Sequence, residues 1–284
     1  VTKLRMSNRI KILIIGDGFI GNGLNDFYKG KYDVRLTSKA ELDVCSLPSV
    51  ESFFRENNDF THVIYAAGIK NIGFCESNPD TAFAALSLLS LYLPTTMKMI
   101  YISTDYVFDG HANSTGSYTE TDQTCSTSVY GKSKIAGELV VKKRFPGSVI
   151  VRTSGVYGPQ CGWVEWLVSA ASEQKSVECY TDATNSPTHI DSLAQMIIDV
   201  ISSNYEGVIN LVDSSIMNRH ELYSSAFTAA GLQTNKLIES SRPTQTCLIP
   251  ENVSLSNKYF CSLPSVKLPL RSPKFDFLNQ MDKS

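Results

Sequence analysis

The 284-residue sequence contains no pair of cysteines at C-x-x-C spacing. Its seven cysteines, at positions 45, 75, 125, 161, 179, 247 and 261, are odd in number and scattered, which argues against a zinc site or a disulfide framework. They read as reduced thiols of a cytoplasmic protein. Neither sign of charge is in excess: 26 Lys+Arg against 28 Asp+Glu leave a net charge of −2. There is therefore no electrostatic footprint for nucleic acid or an anionic membrane. No apolar run is long enough to cross a bilayer; the longest, near Ala82–Leu93, is too short and includes serines. No signal peptide is apparent, so the sequons Asn113-Ser114-Thr115 and Asn252-Val253-Ser254 read as unmodified. Internal repeats and low-complexity segments are also missing. What remains is an ordinary globular composition, 42% apolar and 19% charged. The length is enough for one large domain or two interleaved ones.

Ile10–Ile15 is an isoleucine-rich run ending at a glycine, the pattern of a strand buried on both faces. Asp33–Thr37, Thr61–Ala66, Met99–Ser103, Ser148–Arg152 and Gly207–Val212 read as further strands. Helices are expected from the first glycine loop through Tyr28, over Leu47–Asn57, Pro79–Tyr92 and Ser128–Phe145. Strands alternating with helices predict an α/β fold with a doubly wound parallel sheet. After Val156 the alternation weakens, and a smaller unit that caps the strand ends and shapes a substrate pocket is expected there. Residues 1–7 look like a frayed extension.

Two local patterns carry chemistry. Gly16-Asp17-Gly18-Phe19-Ile20-Gly21 follows the first strand and opens a helix, the context in which a G-x-G-x-x-G loop holds a dinucleotide pyrophosphate against a helix N-terminus. Of thirteen tyrosines only Tyr130 has a lysine four residues on, Lys134. On a helix the two lie on one face. An ammonium beside the phenol is expected to lower a pKa that is ordinarily about 10, fitting Tyr130 as a proton donor. The second strand ends in Thr37-Ser38-Lys39 with no carboxylate before Glu41. Lys39 with its neighbouring hydroxyls suits a 2′-phosphate, so NADPH is expected ahead of NADH; Lys39 as a plain solvated loop residue stands as the alternative.

With these residues in hand, the sequence resembles the extended short-chain dehydrogenase/reductases, and among them the dTDP-4-dehydrorhamnose reductases. The resemblance runs from the first strand to near Leu255. Its most specific segment is Tyr101-Ile-Ser-Thr-Asp-Tyr-Val-Phe-Asp-Gly110, followed by Tyr118-x-Glu120-x-Asp122 and Tyr130-Gly-Lys-Ser-Lys134-Ile-Ala-Gly-Glu138. Arg152-Thr-Ser-x-Val-Tyr-Gly158, Ser186-Pro-Thr-His189 and Arg242-Pro243 also match. The resemblance implies a Rossmann-type domain over 8–156 with a return near 188–212. It also implies a smaller α/β substrate domain from 157–187 and 213–284. It implies hydride transfer to C4 of a nucleotide-linked 4-keto-6-deoxy sugar. Thr104 would hydrogen-bond the ketone, Tyr130 would protonate it, and Lys134 would hold the nicotinamide ribose. Gly16, Gly18, Phe19, Ile20, Gly21, Ala66, Ala67 and Gly68 would line the cofactor, with Asp43 and Val44 near the adenine. Asp105, Tyr106, Val107 and Gly155 would face the sugar, and Arg242 would reach the diphosphate. A monomer or homodimer is expected.

Plainer roles compete at several positions: a helix cap for Asp43, core packing for Tyr106, Trp163 and Trp166, a satisfied histidine at 189 and a surface ion pair for Arg242. The sequence also departs from the family. Its glycine loop is one residue shorter than usual. Leu86 replaces an asparagine, Ser126 stands near an expected proline, and Gln245 replaces another asparagine. Gly155 replaces a tryptophan against the sugar, which predicts a sugar other than dTDP-4-dehydrorhamnose. Gly23 replaces a metal-binding glutamate, so no metal is expected. A nucleotide-sugar epimerase or dehydratase is the alternative enzyme. A non-catalytic dinucleotide-binding subunit, like the β subunit of methionine adenosyltransferase, is the non-enzyme alternative.

Overall fold

The buried run after Ile10 forms the first strand of a parallel sheet, β1 (Lys11–Ile15), in the computed structural model, which describes residues 10–85, 92–112, 116–243, 249–264 and 266. It leads into α1 (Phe19–Tyr28) and then β2 (Asp33–Thr37), α2 (Leu47–Glu56) and β3 (His62–Tyr65). Two short helices follow, α3 (Ile72–Ser77) and α4 (Pro79–Phe83). Of the helix expected over Pro79–Tyr92, Pro79–Phe83 is α-helix, and 86–91 lie outside the described residues. Leu86, like Gln245 and Cys247, lies outside the described residues. The chain continues through β4 (Lys98–Thr104), α5 (Val129–Arg144), β5 (Val149–Thr153) and β6 (Val156–Tyr157). It then forms α6 (Gly162–Ser172), β7 (Val177–Tyr180), β8 (Thr184–Asn185), β9 (Thr188–His189), α7 (Ile190–Ser202) and β10 (Gly207–Asn210). Last come β11 (Met217–Asn218), α8 (Arg219–Ala229), β12 (Leu237–Ser240) and α9 (Lys258–Cys261).

Six strands, in the order β10-β5-β4-β3-β1-β2, make the central sheet among the described residues, and all of their pairings are parallel. Side chains alternate across the sheet. Ile12, Ile14, Ile64, Ile100, Ile102, Val149 and Val151 pack on one face with Leu24 of α1 and Leu193 and Ile197 of α7. Leu13, Ile15, Val63, Tyr65, Met99, Tyr101 and Ile150 pack on the other with Val50 and Phe53 of α2 and Val141 of α5. A separate core of Val164, Leu167, Val177, Tyr223, Phe227 and Leu237 joins α6, α8 and the β7–β12 pair. Strand order reverses between β1 and β3. Ligands of open α/β sheets bind in the crevice outside the carboxyl ends at such a point. Among the described residues no helix is long and apolar enough to cross a membrane. Their six cysteines are free thiols.

Candidate active site

The glycine loop occupies that crevice. Gly16 has φ +107°, and a Cβ there would lie 2.6 Å from the Ala67 backbone. A Cβ at Gly21 would lie 1.8 Å from the Gly16 carbonyl oxygen. These two glycines let β1, α1 and the segment after β3 close on each other. Gly18 differs: nothing lies within 4 Å of a Cβ built on it, and it begins α1 without a side-chain cap. The first N–H groups of α1 therefore border open space, the cradle a pyrophosphate needs. A cavity of about 280 Å³ opens here. Gly18, Phe19, Ile20, Ala66, Ala67 and Gly68 line one side, and Thr104, Tyr130 and Lys134 also line it. The residues present fit a dinucleotide.

The tyrosine and lysine sit on α5, whose N-terminus is fixed twice. Ser128 caps it by accepting from the Gly131 N–H at 3.0 Å. Glu76, from α3, accepts from the Val129 N–H at 2.6 Å. Nothing in the local sequence around Glu76 signals this contact. Further along α5, Glu138 is buried in a bidentate pair with Arg152 of β5 (3.0 and 2.8 Å) and accepts from Ser103 of β4 at 2.6 Å. The helix is thereby locked to the two strands that bring Thr104 and Thr153 side by side.

Burial pushes the Tyr130 phenol up to about 12, against a downward pull from the Thr104 hydroxyl and a further upward push from Asp105. Burial lowers Lys134 to about 8, with Glu138 opposing. The Lys134 ammonium donates to the Ile102 carbonyl at 2.9 Å and lies 4.9 Å from the Tyr101 ring centroid. The expected lowering of the phenol by the lysine is therefore corrected. In this arrangement the ammonium is held on the strand, and desolvation dominates both groups. Thr104 donates to Asp105 Oδ1 at 3.0 Å. Asp105 is 3% exposed, accepts also from Ser154, and is raised to about 6 by burial against those hydrogen bonds.

A second cavity, of about 390 Å³, adjoins the first; Asp105, Gly155, Trp163 and Lys70 line both. Tyr106 lines the second and meets the Tyr130 ring edge-on at 5.9 Å, so it both packs and faces the cavity. Gly155 has φ +47°, and a Cβ there would lie 2.9 Å from Asn185 Nδ2. Trp163, stacked on Tyr223 at 5.3 Å, supplies an aromatic wall beside it. Trp166 is exposed.

Several expected site residues lie elsewhere. Val107 is fully buried with Phe108, Tyr118, Val253 and Leu255, so it does not face the cavity. Val44 is core beneath β1 and β3. Asp43 accepts from the Cys45 N–H in the turn after β2, and the cap of α2 is Ser46. Lys39 is exposed in that same connection. The Arg242 guanidinium is committed to Glu251 at 3.0 Å, the Ile249 carbonyl at 3.0 Å and Asp182 at 3.7 Å. His189 caps α7 by accepting from the Asp191 N–H at 3.2 Å. Glu76, Lys70, Asn185 and Arg219 carry no signal in the sequence; the last three line the second cavity. Among the described residues no group of three or more His, Cys, Asp or Glu is placed to hold a metal ion.

The sequence pattern of the RmlD substrate binding domain matches residues 10–269. A crystal structure of a dTDP-4-dehydrorhamnose reductase from Clostridium acetobutylicum is 28% identical and superimposes with a TM-score of 0.82, covering 90% of this chain and 93% of that one. A probable low-salt glycan biosynthesis reductase of Haloferax volcanii is 28% identical over 230 residues, 74% of this chain and 75% of that protein. The fold is also that of a Bacillus anthracis dTDP-4-dehydrorhamnose reductase in complex with NADP, with a TM-score of 0.85 at 22% identity over 96% of this chain and 98% of that one.

Proposed function

Because the chain belongs to the RmlD substrate binding domain family, we propose that it is an NADPH-dependent reductase of a nucleotide-linked 4-keto-6-deoxy sugar, in the manner of the dTDP-4-dehydrorhamnose reductase it resembles. One observation carries the reading: Thr104, Tyr130 and Lys134 line the same cavity as the glycine loop. Residues 8–156 with the return near 188–212 are assigned to the cofactor, and 157–187 with 213–284 to the sugar nucleotide.

When bound, NADPH supplies a hydride to the carbonyl carbon. Lys39, exposed and in no ion pair among the described residues, is the candidate for its 2′-phosphate. With the ketone bound, the Thr104 hydroxyl would turn from Asp105 to the ketone oxygen, which would then sit between two hydroxyl donors, Thr104 and Tyr130. A phenol pushed up to about 12 stays protonated at neutral pH, so Tyr130 arrives with the proton that the oxygen requires. Protonation of that oxygen leaves a phenolate; Lys134, at about 8 and so mostly protonated at neutral pH, would hold the nicotinamide ribose. Solvent then reprotonates Tyr130.

The test is NADPH oxidation, followed by nicotinamide absorbance, with a panel of nucleotide 4-keto sugars. Turnover with formation of a C4 hydroxyl supports the reading. Binding of cofactor and nucleotide with no turnover on any sugar would favour the dinucleotide-binding regulatory subunit instead.

A further inference from the structure

We propose that Arg219, with Lys70 on the same cavity, is the anion site for the diphosphate of the nucleotide-linked substrate. The inference rests on the nucleotide-sugar reading and adds to it the residues that recognise the charged part of the ligand.

Among the described residues Lys70 and Arg219 are the only cations lining the second cavity, and the one lining carboxylate, Asp105, is buried at the junction with the first. Arg219 is the first residue of α8, and its guanidinium carbon lies 5.0 Å from the Tyr180 ring centroid. Burial raises the phenols of Tyr106 and Tyr223, and the Arg219 charge partly offsets both, so that charge is felt across the cavity wall. Among the described residues neither Arg219 nor Lys70 is in an ion pair. Arg242 is the opposite case, with two carboxylates and a carbonyl already on its guanidinium.

The α8 N-terminus is not itself the attraction. Asn218 accepts from the Glu221 N–H, and Glu221 accepts from the Asn218 N–H, so a capping box already serves that terminus. The available group is the side chain. A guanidinium presents a planar fork that matches phosphate oxygens two at a time. A diphosphate entering a partly desolvated cavity needs such a partner, because an unpaired buried charge is costly. Trp163 and Tyr223, stacked on each other in the same wall, give the uncharged parts of the ligand an apolar surface.

The experiment is calorimetric titration of thymidine, dTMP, dTDP, UDP and GDP into the chain saturated with NADPH, so that the cofactor site is filled. Native affinity should rise with phosphate number. Arg219→Met should weaken dTDP about 10–100-fold, the usual range for losing a charged hydrogen bond, and leave thymidine unchanged. Lys70→Met should give a smaller loss, and Arg219→Lys should recover part of the binding. NADPH fluorescence reports that each variant is folded. If Arg219→Met binds dTDP as the native chain does, the assignment of Arg219 is wrong while the enzyme reading stands. If the native chain binds NADPH but no nucleoside diphosphate, both fall.

Discussion

Glu76 accepts a hydrogen bond from the Val129 N–H at 2.6 Å, so a carboxylate fifty-three positions upstream pins the helix that carries Tyr130 one residue further on. A negative charge at a helix N-terminus is favourable through both the hydrogen bond and the helix dipole. Glu76→Ala is therefore expected to lower stability by about 1–3 kcal/mol. It should also lower kcat more than it raises the cofactor Kd, because the displaced group is the proton donor. Urea unfolding and steady-state kinetics on the same preparation check both parts. Unchanged kcat with reduced stability would make Glu76 a structural cap only.

Asp105 gives a pH dependence with a definite sign. Its folded pKa is about 6 against an ordinary 3.8, so the folded state holds this proton more tightly than the unfolded chain. The resulting stabilisation is full below about pH 4 and is lost as pH rises through about 6. It amounts to on the order of 3 kcal/mol across the window. Asp105→Asn removes the titration. The difference in urea midpoint between pH 5 and pH 8 should shrink in that variant, and an unaltered difference would locate the dependence elsewhere.

Trp163, not position 155, is expected to set sugar discrimination. Gly155 has φ +47° and leaves a Cβ only 2.9 Å from Asn185 Nδ2, so any larger side chain there is strained, and a Gly155→Trp variant would perturb the fold around Asn185. Trp163→Ala should reduce kcat/KM on the preferred sugar by about 10–200-fold, the range for lost apolar contact, and reduce the spread across a panel of nucleotide 4-keto sugars. A Trp163→Ala variant that discriminates as the native chain does would remove the ring from the sugar wall.

The strands, the glycine loop and the helix of Tyr130 were legible because each is a local pattern: a buried run, a turn of set spacing, and a pair four residues apart. Side-chain direction was not. Val107 sits two residues from Asp105 in one motif, yet it points into a core of Phe108 and Leu255 while Asp105 borders both cavities. Val44 was lost to the core in the same way. Lys70, in the connection after β3, and Arg219, at the start of α8, meet one cavity from positions far apart in sequence, and no periodicity marks either. Arg242 kept its place in a family motif, but Glu251 and Asp182 neutralise it, and only tertiary structure brings those carboxylates to it.

Tyr130 is placed to protonate the ketone oxygen in the cavity that Lys134 and Thr104 also line. The most direct measurement is kcat for NADPH oxidation by the native chain and by Tyr130→Phe, with the best nucleotide 4-keto sugar at saturation and NADPH affinity measured alongside. Phenylalanine keeps the ring that packs against Tyr106 and removes the proton. A fall in kcat of about 10²–10⁴-fold is expected, the usual worth of general acid catalysis, with NADPH affinity little changed. A Tyr130→Phe variant that turns over at close to the native rate would contradict it.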